Sequence, residues 1–419
     1  MKNILLISYH FPPVPGVGAR RWALFAKYLA RFGYNVHVIT ANNSQTGSPW
    51  TEDVTDKSIR VYKTDDHYPK ALKTVPVSFT EKIKYRLALW YTGKKFRGSP
   101  YDKSLFMKDE LFRVIEKIIH EHEISTIIAT GAPFRLLYYT TLFKEQHPGL
   151  QLICDLRDPW TDSREYGFAS VSKEAIEYEK DLEKFVINHC DYFTVPSPFM
   201  KQRMISEYGN SIHSENIRVL PHAWDADKFP EHISENRPGK CRFIFGGSIH
   251  LFNIDTLFIP LLEALCRLRS ENPDLLNMLK FDFYSPVALH QERILQWQLE
   301  KVVQFHSPVS QSEFISEMTR STYLMIFLPS HLKNFRITKC AEYLPLRKPI
   351  ILFSEPGEVS QWLEENKLGS VITPGVSMAK EIENLAEEYK KGNPGFNRQY
   401  DISSCSFENV TKELIRLFK

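Results

Sequence analysis

The run Asn3-Ile-Leu-Leu-Ile-Ser8, the loop Phe11-Pro-Pro-Val-Pro-Gly-Val-Gly18, and then Trp22, Leu24, Phe25, Tyr28 and Leu29 at helical spacing decide the fold class. A short, nearly all-apolar run is what a strand buried on both faces requires. The Pro/Gly loop ends it. The helix that follows stops at Gly33, because glycine takes the left-handed backbone that closes many helices. A second apolar run, 36–40, follows at once. Strand, loop, helix and strand in that order predict a parallel sheet covered by helices, an α/β chain.

The alternation continues. Strands are expected at 60–62, 124–129, 152–154, 192–195 and 218–220, with helices over 106–122, 134–145, 173–189 and 197–207 between them. Ser172 before Lys-Glu-Ala reads as an N-cap with an acidic first turn. A second series opens at Arg242, with strands at 242–245, 281–284, 302–305, 323–327, 350–353 and 370–372. Helices are expected at 254–270, 290–299, 311–320, 337–344, 358–366 and 378–390, with a last one at 406–418. Ser310-Gln-Ser-Glu313 is a capping box. The polar stretch 225–240 carries Pro and Gly and is the best linker. A single core rarely grows beyond about 250–300 residues, so two Rossmann-like units are expected.

Composition excludes several classes. With 43% hydrophobic and 25% charged residues, the chain is neither disordered nor collagen-like. No apolar run reaches the roughly 18–20 residues of a membrane span. The net charge of +3 argues against a nucleic-acid binder. The run at 4–7 is too short for a signal peptide core, and the six cysteines are scattered with no CxxC or zinc spacing. Reduced thiols and a cytoplasmic setting are the simplest expectation.

Five motifs stand at strand ends. Gly16 and Gly18 let backbone approach a ligand at a helix N-terminus that attracts anions, or merely form a loop turn, and Arg20 and Arg21 add charge for a phosphate or line a solvated helix face. Arg21 replaces the third glycine of the dinucleotide fingerprint, which disfavours a nicotinamide-dependent reductase. Asp155-Leu-Arg157-Asp158-Pro-Trp160 puts three charges at a carboxyl end, fit for a polar site or for an Arg–Asp pair that fixes a turn. Thr130-Gly131-Ala-Pro133 is a small-residue turn. Arg336, Lys339 and Glu342 suit a diphosphate and a ribose, or alternatively a surface ion pair between Lys339 and Glu342. Gly246 and Gly247 offer backbone N–H groups, or merely a turn.

From Lys70 to Lys108 there are ten Lys/Arg against Glu81 and Asp102, a net +8 hidden in the total. Ser78-Phe-Thr-Glu81 starts a helix there, with Phe79, Ile83, Leu87 and Trp90 at helical spacing. Lys82, Arg86, Trp90, Lys94 and Lys95 suit an anionic membrane surface. The alternative is a helix packed on the first domain with a solvated basic face.

The run 7–21 with 33–40 resembles the opening of glycosyltransferase family 4 enzymes. Cys154-Asp-Leu-Arg-Asp-Pro-Trp160 resembles a segment of one bacterial, surface-polysaccharide branch. Val219-Leu-Pro-His-Ala-Trp-Asp225 and Lys339-Cys-Ala-Glu-Tyr-Leu344 with Lys348-Pro-Ile350 are similar to later family segments, in the family's order. The resemblance implies a GT-B fold: two Rossmann-like domains facing a cleft, the C-terminal helix crossing back to the first. The acceptor-side domain would be 1–228 with 403–419, and the nucleotide-sugar domain 229–402. It implies a retaining, metal-independent hexosyltransferase with no cofactor, using a nucleotide-sugar and a lipid-linked or polysaccharide acceptor at the inner membrane face.

By that resemblance Arg157, Asp158 and Gly18 lie at the catalytic centre. Gly16, Gly246, Gly247, Arg336, Lys339 and Glu342 hold the donor. Three departures stand out. Asn334 occupies the place of a family glutamate, 251–255 lacks the expected lysine, and Pro345-Leu-Arg347 replaces Ala-x-Gly. Donor binding then moves to Arg336, Lys339 or Arg347, or is lost in a non-catalytic scaffold that organises a membrane-associated glycan assembly complex.

Overall fold

The computed structural model describes residues 2–161, 167–230, 239–249, 255–375, 377–392 and 395–419. The chain divides into two compact units: Met1–Pro221 with Phe407–Lys419, and His222–Ser406. The expected linker lies partly outside the described residues, at 231–238.

Unit 1 is a seven-stranded sheet. Its strands are β1 (Lys2–Ser8), β2 (Tyr34–Ala41), β3 (Ile59–Thr64), β4 (Thr126–Gly131), β5 (Gln151–Leu156), β6 (Tyr192–Val195) and β7 (Ile217–Val219). All pairings are parallel, in the order β3-β2-β1-β4-β5-β6-β7. Ile4 sits opposite both Val36 and Thr126. The apolar run of β1 is buried from Ile4 to Ser8, as a strand covered on both sides must be. The helices of this unit are α1 (Val17–Arg31), α2 (Phe79–Lys95), α3 (Lys108–His122), α4 (Arg135–Gln146), α5 (Lys173–His189) and α6 (Pro198–Tyr208). Gly33 takes φ +84° just beyond the end of α1, the backbone that glycine alone adopts without cost. The Ser172 hydroxyl accepts the Ala175 N–H and so caps α5.

Unit 2 is a six-stranded parallel sheet. It consists of β8 (Cys241–Gly246), β9 (Leu279–Tyr284), β10 (Val303–His306), β11 (Tyr323–Leu328), β12 (Ile350–Ser354) and β13 (Gly369–Ile372), ordered β10-β9-β8-β11-β12-β13. Its helices are α7 (Asp255–Glu271), α8 (Pro273–Met278), α9 (Gln291–Gln296), α10 (Gln311–Thr319), α11 (Thr338–Glu342), α12 (Glu358–Glu365) and α13 (Met378–Lys390). Helix α8 is absent from the sequence expectation, although its signal is present. Asn272 caps Leu275 N–H at 3.3 Å, and Pro273 takes the first helical position.

The last helix, α14 (Phe407–Ile415), belongs to unit 1. Its buried face is Phe407, Val410 and Leu414. The Phe407 ring meets Phe25 edge-on at 5.3 Å and stacks on Tyr28 at 6.1 Å. Fully burying such a side chain stabilises by about 1.5–3 kcal/mol, enough to hold a short terminal helix in place. Among the described residues no helix is long and apolar enough to cross a membrane.

Candidate functional site

In each sheet the strand order reverses at one place, between β1 and β4 in unit 1 and between β8 and β11 in unit 2. Loops at the carboxyl ends of strands diverge there, leaving a crevice where α/β sheets bind ligands. Gly16, Gly18, Arg157 and Asp158 stand at strand ends beside the first of these points, and Gly246, Gly247, Lys339 and Glu342 beside the second. Lys82, Arg86, Trp90, Lys94 and Lys95 instead lie on α2, and Arg336 faces Glu358 of α12.

In unit 1 the centre is Asp155, fully buried near the end of β5. Its carboxylate accepts Arg21 Nε at 3.2 Å and Nη2 at 3.1 Å, the Trp22 indole N–H at 2.9 Å, and the Thr194 and Thr130 hydroxyls at 2.7 and 3.3 Å. Burial alone would raise its pKa. The Arg21 charge and the other donors outweigh burial and hold it below the usual carboxylate range. Arg21 also donates to the Leu220 and Pro221 carbonyls at 2.7 and 2.9 Å. Arg21 is therefore a structural cation and not the phosphate ligand expected of it. Arg20 is buried too, with its guanidinium 5.5 Å over the Phe407 ring.

Arg157, Asp158 and Gly18 do come together. Arg157 donates to the Gly18 carbonyl and, through Nε at 3.2 Å, to Asp158. A Cβ on Gly18 would stand 3.0 Å from the Arg157 guanidinium, so close approach is what glycine supplies here. Gly16 precedes α1 at φ +109°. Two residues beyond Asp158, Trp160 is buried, stacks on Phe134 at 5.1 Å and donates to Glu179 at 3.0 Å, anchoring the charged turn. The Asp155–Trp160 motif thus divides into a buried scaffold, Asp155 and Trp160, and a partly exposed pair, Arg157 and Asp158. Sequence reasoning misses His10. Burial, with Arg157 and Lys103 nearby, lowers its pKa to about 4 and keeps the ring neutral at pH 7. The only sequence signal for it is its position after β1.

In unit 2 the loop after β8 meets α11. Gly246 is crowded by the Phe314 ring, 2.1 Å from where a Cβ would sit. Gly247 has φ +134°, and a Cβ there would stand 2.8 Å from Lys339 Nζ. Lys339 also lies 4.9 Å over the Phe245 ring. Burial lowers its pKa, and the Glu342 charge nearby acts in the opposite direction. The ion pair with Glu342 that a plain surface helix would show does not form. Among the described residues the Lys339 ammonium has no carboxylate partner within 4.0 Å. Glu342 is half-buried at the end of α11.

The other cations offered for the donor have partners of their own. Arg336 pairs with Glu358 at 2.5 Å and lies 4.9 Å over the Trp362 ring. Arg347 donates to the Arg398 and Tyr400 carbonyls at 2.8 and 3.1 Å. Asn334 accepts the Glu358 N–H at 3.0 Å and so satisfies the start of α12. The segment 251–254, where the expected lysine is missing, lies outside the described residues.

The family model for Glycosyltransferase Family 4 matches residues 18–228, half of the chain. The chain belongs to glycosyltransferase family 4. Its architecture is that of the GT-B glycosyltransferases, with two Rossmann-like units. A glycosyltransferase from Rickettsia africae ESF-5 is 13% identical with a TM-score of 0.59, over 100% of this chain and 94% of that one. The lipopolysaccharide outer core galactosyltransferase WaaB in its apo form is 12% identical, TM-score 0.57, over 100% and 99%. A mutant of S. aureus TarM, in complex with Fondaparinux, alpha-GlcNAc-glycerol and UDP, is 11% identical, TM-score 0.59, over 100% of both chains. At these identities the likeness is one of fold. No curated protein matches the sequence. The family 4 chain carries its two motif clusters at matching places, one at each sheet's switch point.

Proposed function

We propose that this glycosyltransferase is a retaining, metal-independent hexosyltransferase. It moves a sugar from a nucleotide-sugar to a lipid-linked or growing polysaccharide acceptor, at the cytoplasmic face of an anionic membrane. The observation that carries the donor reading is the Lys339 ammonium against Gly247, with no carboxylate within 4.0 Å among the described residues. A half-buried cation is costly to desolvate unless an anion completes it, and a diphosphate supplies that charge. The Gly246 and Gly247 backbone lies beside it, and Glu342 accepts ribose hydroxyls. The UDP in the TarM complex and in the S. aureus MnaA co-structure supports a nucleoside diphosphate as the ligand class.

In the reaction the bond from the anomeric carbon to the diphosphate oxygen breaks. The acceptor oxygen bonds to the same face of that carbon, and its proton leaves to the departing diphosphate. Lys339 neutralises the charge that develops on the leaving group. Arg157, Asp158, Gly18 and Gly16 of unit 1 are the residues assigned to the acceptor. No cofactor is required, because the donor is already activated.

Calorimetry with uridine and guanosine diphosphates, followed by turnover with a panel of nucleotide-sugars and lipid-linked acceptors, tests the reading. Micromolar binding and a transferase rate lost in Glu342→Ala are expected. Absence of both would leave a non-catalytic scaffold and defeat the proposal.

A further inference from the structure

Helix α2 turns its apolar stripe outward. Phe79 is 79% exposed, Leu87 61%, Trp90 63% and Ile83 44%, on a helix closed at its start by the Ser78–Glu81 capping box. The opposite side, Tyr85, Ala88, Leu89 and Thr92, is half-buried or buried. At the C-terminal end Tyr91 stacks on Phe106 at 6.2 Å and the Lys95 ammonium lies 4.8 Å over the same ring. The helix is therefore seated on unit 1 by one face while a second apolar face meets water. The helix thus packs on the first domain with a solvated basic face, and the apolar stripe is exposed beside that face.

The charges around the stripe select its occupant. At 100° per residue, Lys82 and Arg86 border it on one side, Lys84 on the other, and Lys94 lies within it. The Lys94 ammonium sits 5.1 Å over the Trp90 ring. Among the described residues none of these four cations has a carboxylate within 4.0 Å. A second copy of the chain would bring like-charged rims together. An anionic bilayer takes apolar side chains at its acyl boundary and cations at its headgroups.

We propose that α2 docks this protein on an anionic lipid surface by insertion, not by charge alone. Phe79, Ile83, Leu87 and Trp90 enter the interface while Lys82, Lys84, Arg86 and Lys94 meet headgroup phosphates. The inference rests on the membrane part of the reading above and is independent of the transfer chemistry.

The test is flotation of the full chain with vesicles of phosphatidylcholine alone and of phosphatidylcholine with phosphatidylglycerol. Binding to the anionic vesicles only is expected. Leu87→Asp and Phe79→Asp should each weaken it about tenfold or more with unchanged thermal midpoints. Lys82→Glu should weaken it about fivefold or more, the effect shrinking with added salt. Salt-sensitive binding indifferent to Leu87→Asp and Phe79→Asp would overturn insertion while sparing a charge-only membrane contact. No binding to either vesicle would overturn both insertion and the membrane reading. A dimer in light scattering that Leu87→Asp dissociates would overturn the proposal in favour of a second copy.

Discussion

The two switch points carry similar residues and differ in how their charges are satisfied. At that of unit 1, Asp155 receives Arg21, Trp22, Thr130 and Thr194 within 3.3 Å, and Arg157 holds the Gly18 carbonyl and Asp158. At that of unit 2, the Lys339 ammonium rests on an aromatic ring beside a glycine, with no carboxylate in reach among the described residues. A completed network holds a shape. In the proposed function the donor diphosphate supplies the counter-charge that the second network lacks among the described residues.

The contrast can be broken most strongly at Asp155. Asp155→Ala leaves Arg21 buried without its anion, and breaking such a pair costs about 3–5 kcal/mol. Chemical denaturation should show that loss, and a change under about 1 kcal/mol would mean the network is dispensable. Lys339→Met is the converse experiment. It should lower kcat/KM for the donor about 10²–10³-fold, roughly 2.7–4 kcal/mol, without lowering the thermal midpoint. Donor affinity in the parent should fall as pH rises through the Lys339 pKa, which burial sets below that of an ordinary lysine. The variant should lose this limb, and a destabilised but fully active variant would reverse the comparison.

Asn334→Ala removes the side chain that caps α12 and should cost about 1 kcal/mol by the same denaturation measurement. A loss of turnover without a loss of stability would instead give Asn334 a part in donor binding. The last effect is one of pH and belongs to His10. Its folded pKa of about 4 lies below the ordinary 6.5, so the unfolded chain takes up the proton first. Stability should be full above pH 6.5 and decline toward about pH 4, and His10→Gln should flatten part of that slope. An unchanged slope would show that His10 is solvated.

Much of the fold is legible in the residues themselves. Each of the 13 described strands overlaps a segment that the residues mark as a strand. Central strands such as β1, β4 and β5 leave continuous apolar runs because both faces are buried, whereas edge strands such as β3 and β10 are only partly covered. The caps at Ser78, Ser172 and Ser310 are equally local, a hydroxyl reaching a backbone N–H within one turn. Gly18, Arg157 and Asp158, and likewise Gly247 and Lys339, stand out as candidate residues by their motifs, but nothing in the spacing shows that they touch.

What the residues alone could not decide is which charges are already satisfied. Arg21 and Asp155 are 134 positions apart and meet only because β1 and β5 flank β4 in the sheet order. Arg336 and Lys339 are three positions apart and read alike, yet one faces Glu358 and the other faces Gly247. The same holds for α2, whose apolar stripe is visible in the spacing but whose outward direction is not. Sequence determined the alternation, the caps and the family, because those depend on neighbours along the chain. Tertiary structure decided which cation lacks an anion and which apolar face lacks a cover, because those depend on neighbours in space.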